Sequence, residues 1–138
     1  MATDIQLAIN GTRYDALRIA RTEAGRAQVM GSQRTFQRAE DLGIEGVQVW
    51  VATLDARTRD THGKLDGKIY NAEKGGWRIP GTNTWTPGPH QSGIAKEDIN
   101  CRCAIDYRVN EDAPEVRRIR GEGTRPYITY AEWLQLKG

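Results

Sequence analysis

The sequence predicts an α+β fold in which a long N-terminal helix packs on a small antiparallel β-sheet, with a long Gly/Pro loop and a short C-terminal helix. Three observations carry this reading. Apolar and small residues recur at steps of three and four from Thr12 to Leu42. Valines alternate with other side chains between Ile44 and Leu54, and the stretch Gly75 to Gly93 is too rich in Gly and Pro for regular structure. The length of 138 residues suits one domain and excludes an enzyme with separate cofactor and substrate lobes.

Taken in order, the helix shows a stripe of Tyr14, Leu17, Ala20, Ala24, Ala27 and Gln28 between Arg and Glu residues. Small side chains bury little area each, so the stripe predicts close approach to a neighbour. Met30, Gly31 and Ser32 are a candidate interruption, after which Phe36, Ala39 and Leu42 continue the spacing to Gly43, a suitable left-handed terminator. Val47, Val49 and Val51 then alternate with Gln48, Trp50 and Ala52, which predicts a strand. Lys68 to Tyr70 and Arg102 to Val109 are further strand candidates, the second with Cys103, Ile105, Tyr107 and Val109 on one side. Trp77 and Trp85 are the expected anchors of the intervening loop. Glu111 to Pro126 is dense in charge and reads as an extended, solvated arm. Thr129 and Glu132 form a capping-box pattern ahead of Trp133, Leu134 and Leu136, which places the closing helix at Thr129 to Leu136.

Twenty basic and eighteen acidic side chains leave a formal charge of +2. That balance lacks the one-sign stripe of a dedicated nucleic-acid binder, so any DNA contact is expected to be local. Four Trp and five Tyr supply apolar area that disordered chains lack. No apolar run is long enough to span a membrane, and the charges scattered through residues 1–30 exclude an ordinary signal peptide. Cys101 and Cys103 are the only cysteines, too cramped for the usual staple of a secreted fold, which favours a reducing compartment. Ser32 and Ser92 are the only serines, and neither lies in a GxSxG elbow; both standard phosphate-cradling glycine loops are also absent.

The densest polar cluster is Asp55, Arg57, Thr58, Arg59, Asp60, His62, Asp66 and Gly67. Turn chemistry accounts for part of it. Asp55 and Thr58 can cap the amides of a tight turn and of a short helix beginning near Thr58, and Gly67 permits a reversal into the next strand. His62 is a candidate metal ligand or general base. On a strand the sulfurs of Cys101 and Cys103 face the same side, so they could share a tetrahedral zinc with His62 and either His90 or a carboxylate such as Asp55. Buried reduced thiols are the simpler reading. An ion-pair brace is also expected, with Asp55, Arg57 and Arg59 pairing with Glu23 or Asp66 and Arg102 joining them to lock the helix across the sheet. Alanine at Arg57 or Arg102 would then lower the melting temperature by several degrees.

The segments ARTEAGR at Ala20 to Arg26, VWVATLDARTRDTHGKLDGKIY at Val49 to Tyr70 and PGPHQSGIAKEDINCRCAI at Pro87 to Ile105 resemble, in that order, the Mu F-like phage head morphogenesis domain. The closing ITYAEWL at Ile128 to Leu134 is also similar to the tail of several members. The motif residues here are Arg21, Glu23, Asp55, Arg57, Thr58, Arg59, His62, Asp66, Gly67, Asn100 and Arg102. The resemblance implies a Mu F-like domain at 1–110, followed by a charged arm and short helix at 111–138. It implies a noncatalytic minor capsid protein of a tailed phage or prophage, associated with the portal and other capsid proteins and assisting head assembly or DNA delivery. Its place would be the head interior of the virion or the host cytoplasm during assembly. Members carry a longer helical region ahead of the domain, so a shortened form of a longer chain is expected. Some members have cysteines where Arg59 and His62 stand and a histidine where Asp98 stands, an arrangement resembling a zinc site. Here His62, Cys101 and Cys103 remain as a partial set, and the cofactor expectation is none or a structural zinc. The alternatives are a metal-dependent nuclease using His62 with Asp55, or an ADP-ribosyltransferase using Arg21 and a later glutamate. Glu111, Glu115 and Glu122 do not make the acidic pair that the transferase needs.

Overall fold

The computed structural model describes residues 2–109 and 113–138, with side chains from residue 10 onward. Helix α1 (Ala2–Asp41) is followed by β1 (Gly46–Val51), α2 (Asp60–Leu65), β2 (Trp77–Arg78), β3 (Trp85–Thr86) and α3 (Ala95–Asp98). Then come β4 (Ala104–Val109), β5 (Val116–Ile119), β6 (Gly123–Pro126) and α4 (Tyr130–Lys137). The architecture is the α+β arrangement expected from the sequence. Among the described residues no helix is long and apolar enough to cross a membrane.

Helix α1 begins ten residues ahead of the expected Thr12 and runs unbroken through Met30, Gly31 and Ser32. The hydroxyls of Ser32 and Thr35 donate to the carbonyls of Gln28 and Gly31 at 3.1 Å, so they bond within the helix and do not interrupt it. It ends as the sequence suggests. Gly43 takes φ 87°, its N–H donates to Glu40 O, and the Ile44 N–H reaches back to Ala39 O, which is the Schellman pattern.

The docking face departs from the expected stripe between Tyr14 and Gln28, whereas Phe36 and Ala39 fall on it as expected. Thr22 and Val29 are buried and Arg18, Gly25, Ser32, Phe36 and Ala39 half-buried, a run of alternating steps of four and three. Tyr14 is 62% exposed and Leu17 47%, and Ala20, Ala24, Ala27 and Gln28 are exposed as well. From Arg18 to Ser32 that face is built from Arg, Thr, Gly, Ser and a single Val and carries almost no hydrophobic contrast, so periodicity could not locate it there. Gly25 shows why small residues are needed there: a Cβ at this position would sit 2.5 Å from His90 Nε2.

The sheet is small. β1 pairs antiparallel with β4 in the register Val49 opposite Asp106 and Trp50 opposite Ile105. Along the other edge of β1, Gly67 N–H donates to Trp50 O, Trp50 N–H to Lys68 O and Tyr70 N–H to Gln48 O. The strand expected at Lys68 to Tyr70 is thus a short strip bridged at Val49 and Ile69. The core gathers Trp50, Leu54, Leu65, Trp77, Ile79, Ile105, Ile119 and Trp133. Trp77 meets the rings of Trp50 and Tyr70 edge-on at 5.5 and 5.2 Å and donates its indole N–H to Lys68 O.

Two expectations are corrected here. The Gly/Pro loop is not wholly irregular, because β2 and β3 form a small antiparallel hairpin inside it. Trp77 anchors that hairpin in the core, whereas Trp85 stays half-buried. The charged arm is not solvated throughout either. β5 and β6 pair antiparallel with Arg117 and Ile119 buried, and Gly121 and Gly123 supply the positive φ of the turn. Glu111 and the proposed boundary at residue 110 lie outside the described residues. The capping box at α4 forms, with Glu132 N–H donating to Thr129 Oγ1 at 3.2 Å and Thr129 N–H to Glu132 Oε2 at 2.7 Å. Tyr130 and Trp133 dock this helix, while Leu134 and Leu136 remain exposed.

One buried ion pair joins these parts. Arg117 donates to Asp66 Oδ1 at 2.7 Å and to Oδ2 at 2.9 Å, and the two side chains are 7% and 2% exposed. Asp66 also accepts the N–H groups of Ala52 and Tyr130, each at 2.8 Å. Arg117 donates further to Ile128 O at 3.1 Å and to Ala52 O. The turn after α2, the β5–β6 hairpin and the start of α4 therefore share one polar centre. Removing one partner strands the other charge in the interior, so Arg117→Ala is expected to lose about 3–5 kcal/mol of unfolding free energy. Urea unfolding measures it; a loss within error of zero defeats this account.

Candidate metal centre

The turn between β1 and α2 is set by Asp55. Its Oδ1 accepts the N–H groups of Arg57 at 2.9 Å and Thr58 at 3.1 Å, and Thr58 Oγ1 donates to Thr53 O at 2.5 Å. Arg59 donates to Ile99 O, which draws α2 against the chain entering the N-C-R-C segment. His62 thereby points into the interior, 3% exposed, with its ring edge-on to Trp50 at 5.6 Å.

His62 Nδ1 lies 3.4 Å from Cys103 Sγ and 3.6 Å from Cys101 Sγ. The three ligand atoms fall within 4.8 Å of one another, and all three residues are buried. On the other side of the ring, His62 Nε2 is 3.0 Å from Glu97 Oε2, and the same oxygen accepts the Thr61 hydroxyl at 2.8 Å. A carboxylate behind a histidine selects the Nε2–H tautomer and leaves the Nδ1 lone pair aimed at the sulfurs, the usual outer support of a metal-ligating histidine. A tetrahedral zinc with bonds of about 2.3 Å to sulfur and about 2.0 Å to nitrogen sets an N···S edge of about 3.5 Å, so the observed spacing fits that ion. The thiols share charge unequally. The hydrogen bond from Cys103 outweighs burial and pulls the Cys101 pKa down to about 4. The same bond to Cys101 and the burial of the site push Cys103 well above the usual thiol range.

Neither expected fourth ligand joins this cluster. His90 is buried with φ 66°, its Nδ1 3.1 Å from Asp98 O and its Nε2 against Gly25. Asp55 faces away into an ion pair, accepting from Arg102 Nη2 at 2.8 Å, from Arg102 Nη1, and from Arg120 at 3.3 Å. The pairing of His62 with Asp55 that a nuclease would use is likewise not assembled.

The brace keeps Asp55 and Arg102, which pair with each other, but its other expected members go elsewhere. Glu23 pairs with Arg26 on its own helix at 2.6 Å, Asp66 takes Arg117, and Arg59 bonds a backbone carbonyl. The Arg57 side chain is exposed and enters none of the described ion pairs. What ties α1 down is a strip of the helix motif. Thr22 Oγ1 accepts the N–H of Asn100, which sits at φ 56°, at 3.2 Å and donates to Arg18 O at 2.9 Å. Arg26 Nε donates to His90 O at 2.9 Å. Arg21 is exposed, and Gly67, at φ 79°, makes the reversal foreseen for it. Sequence reasoning missed Glu97, Arg117 and Arg120 as partners. Only the alternation of Val116, Arg117, Arg118 and Ile119 hinted that one of these arginines turns inward.

An N-terminal helix held through Thr22 and Arg26 to the loop ahead of an N-C-R-C segment, with His62 of α2 against its cysteines and β4 starting directly after it instead of at the expected Arg102, is the arrangement of a Mu F-like domain. The family described as Phage Mu protein F like protein matches residues 1–106, and the chain belongs to that family. It is 40% identical over 122 residues to Minor head protein GP7 of Bacillus phage SPP1, which covers 86% of this chain and 39% of that protein. It is also 40% identical over 119 residues to NAD(+)--arginine ADP-ribosyltransferase EFV of Enterococcus faecalis, covering 86% of this chain and 24% of that protein. The chain thus spans well under half the length of these relatives. No solved structure matches it.

The Arg102 and Asp55 contact yields a test with a definite sign. Hydrogen bonding from Arg102 holds the Asp55 carboxyl well below its ordinary value of 3.8. A depressed folded pKa contributes stability that is complete above the unfolded value and is lost as the pH falls below it. Arg102→Ala is therefore expected to melt a few degrees below the parent at neutral pH, with the gap shrinking as the pH drops below 3.8, while Arg57→Ala melts with the parent. Melting curves across pH decide this; a gap that persists undiminished in acid counts against it.

Proposed function

We propose that this chain is a noncatalytic assembly domain of a tailed-phage or prophage head, a minor capsid component that associates with the portal and assists head assembly or DNA delivery. The observation that carries the reading is the joint itself. Thr22 and Arg26 of α1, the α2 helix bearing His62 and the segment carrying Cys101 and Cys103 into β4 close on one another through hydrogen bonds and a buried cluster. That is a means of fixing a long helix on a thin sheet. Similarity to a minor head protein over most of the chain supports the same reading. Its working place would then be the head interior of the virion, or the host cytoplasm during assembly.

The enterococcal transferase matches 86% of this chain over only 24% of its own length, so its name does not by itself carry the transferase reading to this domain. Glu122 is held by Lys137 at 2.5 Å, and Glu115 is exposed, which gives no acidic pair among the described residues. The cofactor reading is a structural zinc on His62, Cys101 and Cys103, with Glu97 and Thr61 behind the histidine. Bound zinc would supply cross-linking of α2 to the chain leading into β4.

Elemental analysis of the purified chain should find stoichiometric zinc that is lost in Cys101→Ser and Cys103→Ser, with a lower melting temperature on chelation. Plasmid nicking should be absent with or without added metal, and pull-down against portal and capsid proteins should recover the portal. Chelator-sensitive nicking would replace this reading with the nuclease, and recovery of no head protein would remove the assembly role.

A further inference from the structure

Between α1 and the start of β4 lies a cleft of about 580 Å³. Arg21, Gln28 and Val29 line it from the helix, and His90, Cys101 and Cys103 from the opposite wall. His62 is not part of the lining, so it approaches the two sulfurs from behind. Among the described residues the cluster offers three ligands, whereas a structural tetrahedral zinc takes four. Sites with three protein ligands keep the fourth position for a molecule from solution.

Arg21 gives that position a chemical preference. It belongs to the helix motif, yet it is exposed and makes none of the described hydrogen bonds or ion pairs, unlike Thr22, Glu23 and Arg26 around it. Two thiolates and a neutral histidine cancel the charge of a divalent cation, leaving a site that accepts either water or an anion. A guanidinium on the rim of the same cleft shifts that choice toward the anion.

Resting on the zinc reading above, we infer that the metal centre is open through this cleft and takes a small anion as its fourth ligand, with Arg21 as countercharge. The anion displaces a water and no bond within the protein changes. Candidate occupants share one chemistry, a monoanionic oxygen, nitrogen or sulfur donor, and a carboxylate or thiolate side chain of a partner protein is among them.

The test uses the full chain loaded with Co²⁺ in place of zinc and titrated with sodium azide. Thiolate-to-cobalt charge transfer in the near ultraviolet reports loading, and the visible d–d bands report the fourth ligand. Azide should shift the visible bands saturably. Arg21→Ala should raise the half-saturating azide concentration about tenfold, the scale expected for losing one nearby countercharge, while leaving charge transfer intact. Intact charge transfer with visible bands that azide does not move would overturn the open site while leaving the metal in place. Equal azide affinity in Arg21→Ala and parent would overturn the role of Arg21. Loss of charge transfer in the parent chain would overturn the zinc reading itself, and the inference with it.

Discussion

The fold depends on neutralising two charges in its interior. Asp66 caps the C-terminal end of α2, and every lone pair it presents is taken, by Arg117 twice and by the amides of Ala52 and Tyr130. A carboxylate so placed is stable only while the β5–β6 hairpin delivers Arg117 and α4 delivers its first amide. The last part of the chain is therefore structurally continuous with the domain it follows, although its composition suggests a separate arm. The thin apolar core makes this more consequential, since fewer buried side chains are available to hold the hairpin by area alone.

A second constraint governs the helix. α1 is held by contacts that need small side chains and exact donors: Gly25 under His90, Thr22 beneath the left-handed Asn100, and Arg26 on a carbonyl. His90 and Asn100 both take positive φ, a conformation that tertiary contacts must sustain. The same loop carries Asp98, whose carboxylate accepts the amides of Ser92 and Gly93 at 3.0 and 2.9 Å and so shapes the chain just ahead of Cys101. The helix contact and the cluster of His62, Cys101 and Cys103 are two sides of one loop.

Much of the fold was legible from local chemistry. The strand at Val47 to Val51, the Gly43 terminator, the Thr129 capping box and the turn around Asp55 are each written in a few adjacent residues. The grouping of His62 with Cys101 and Cys103 could be suspected from ligand types. Partners separated by long stretches of chain were not legible: Arg117 for Asp66, Arg120 for Asp55 and Glu97 for His62 carry no local mark that sets them apart from surface charges. The docking face of α1 was misread for a physical reason, because close backbone approach selects Thr, Gly and Ser, and these look polar while Tyr14 and Leu17 look buried.

The way α1 is fastened has a mechanical consequence. Its anchors begin at Arg18 and Thr22, and the turns ahead of them, with Tyr14 and Leu17 outward, extend past the body of the domain. At about 1.5 Å per residue, Asn10 stands roughly 18 Å along the axis from Thr22, so a tilt of about 10° at that pivot would swing it by about 3 Å. By that geometry, the contacts of Thr22 and Arg26 with Asn100 and His90 set the pivot for any tilt of the helix.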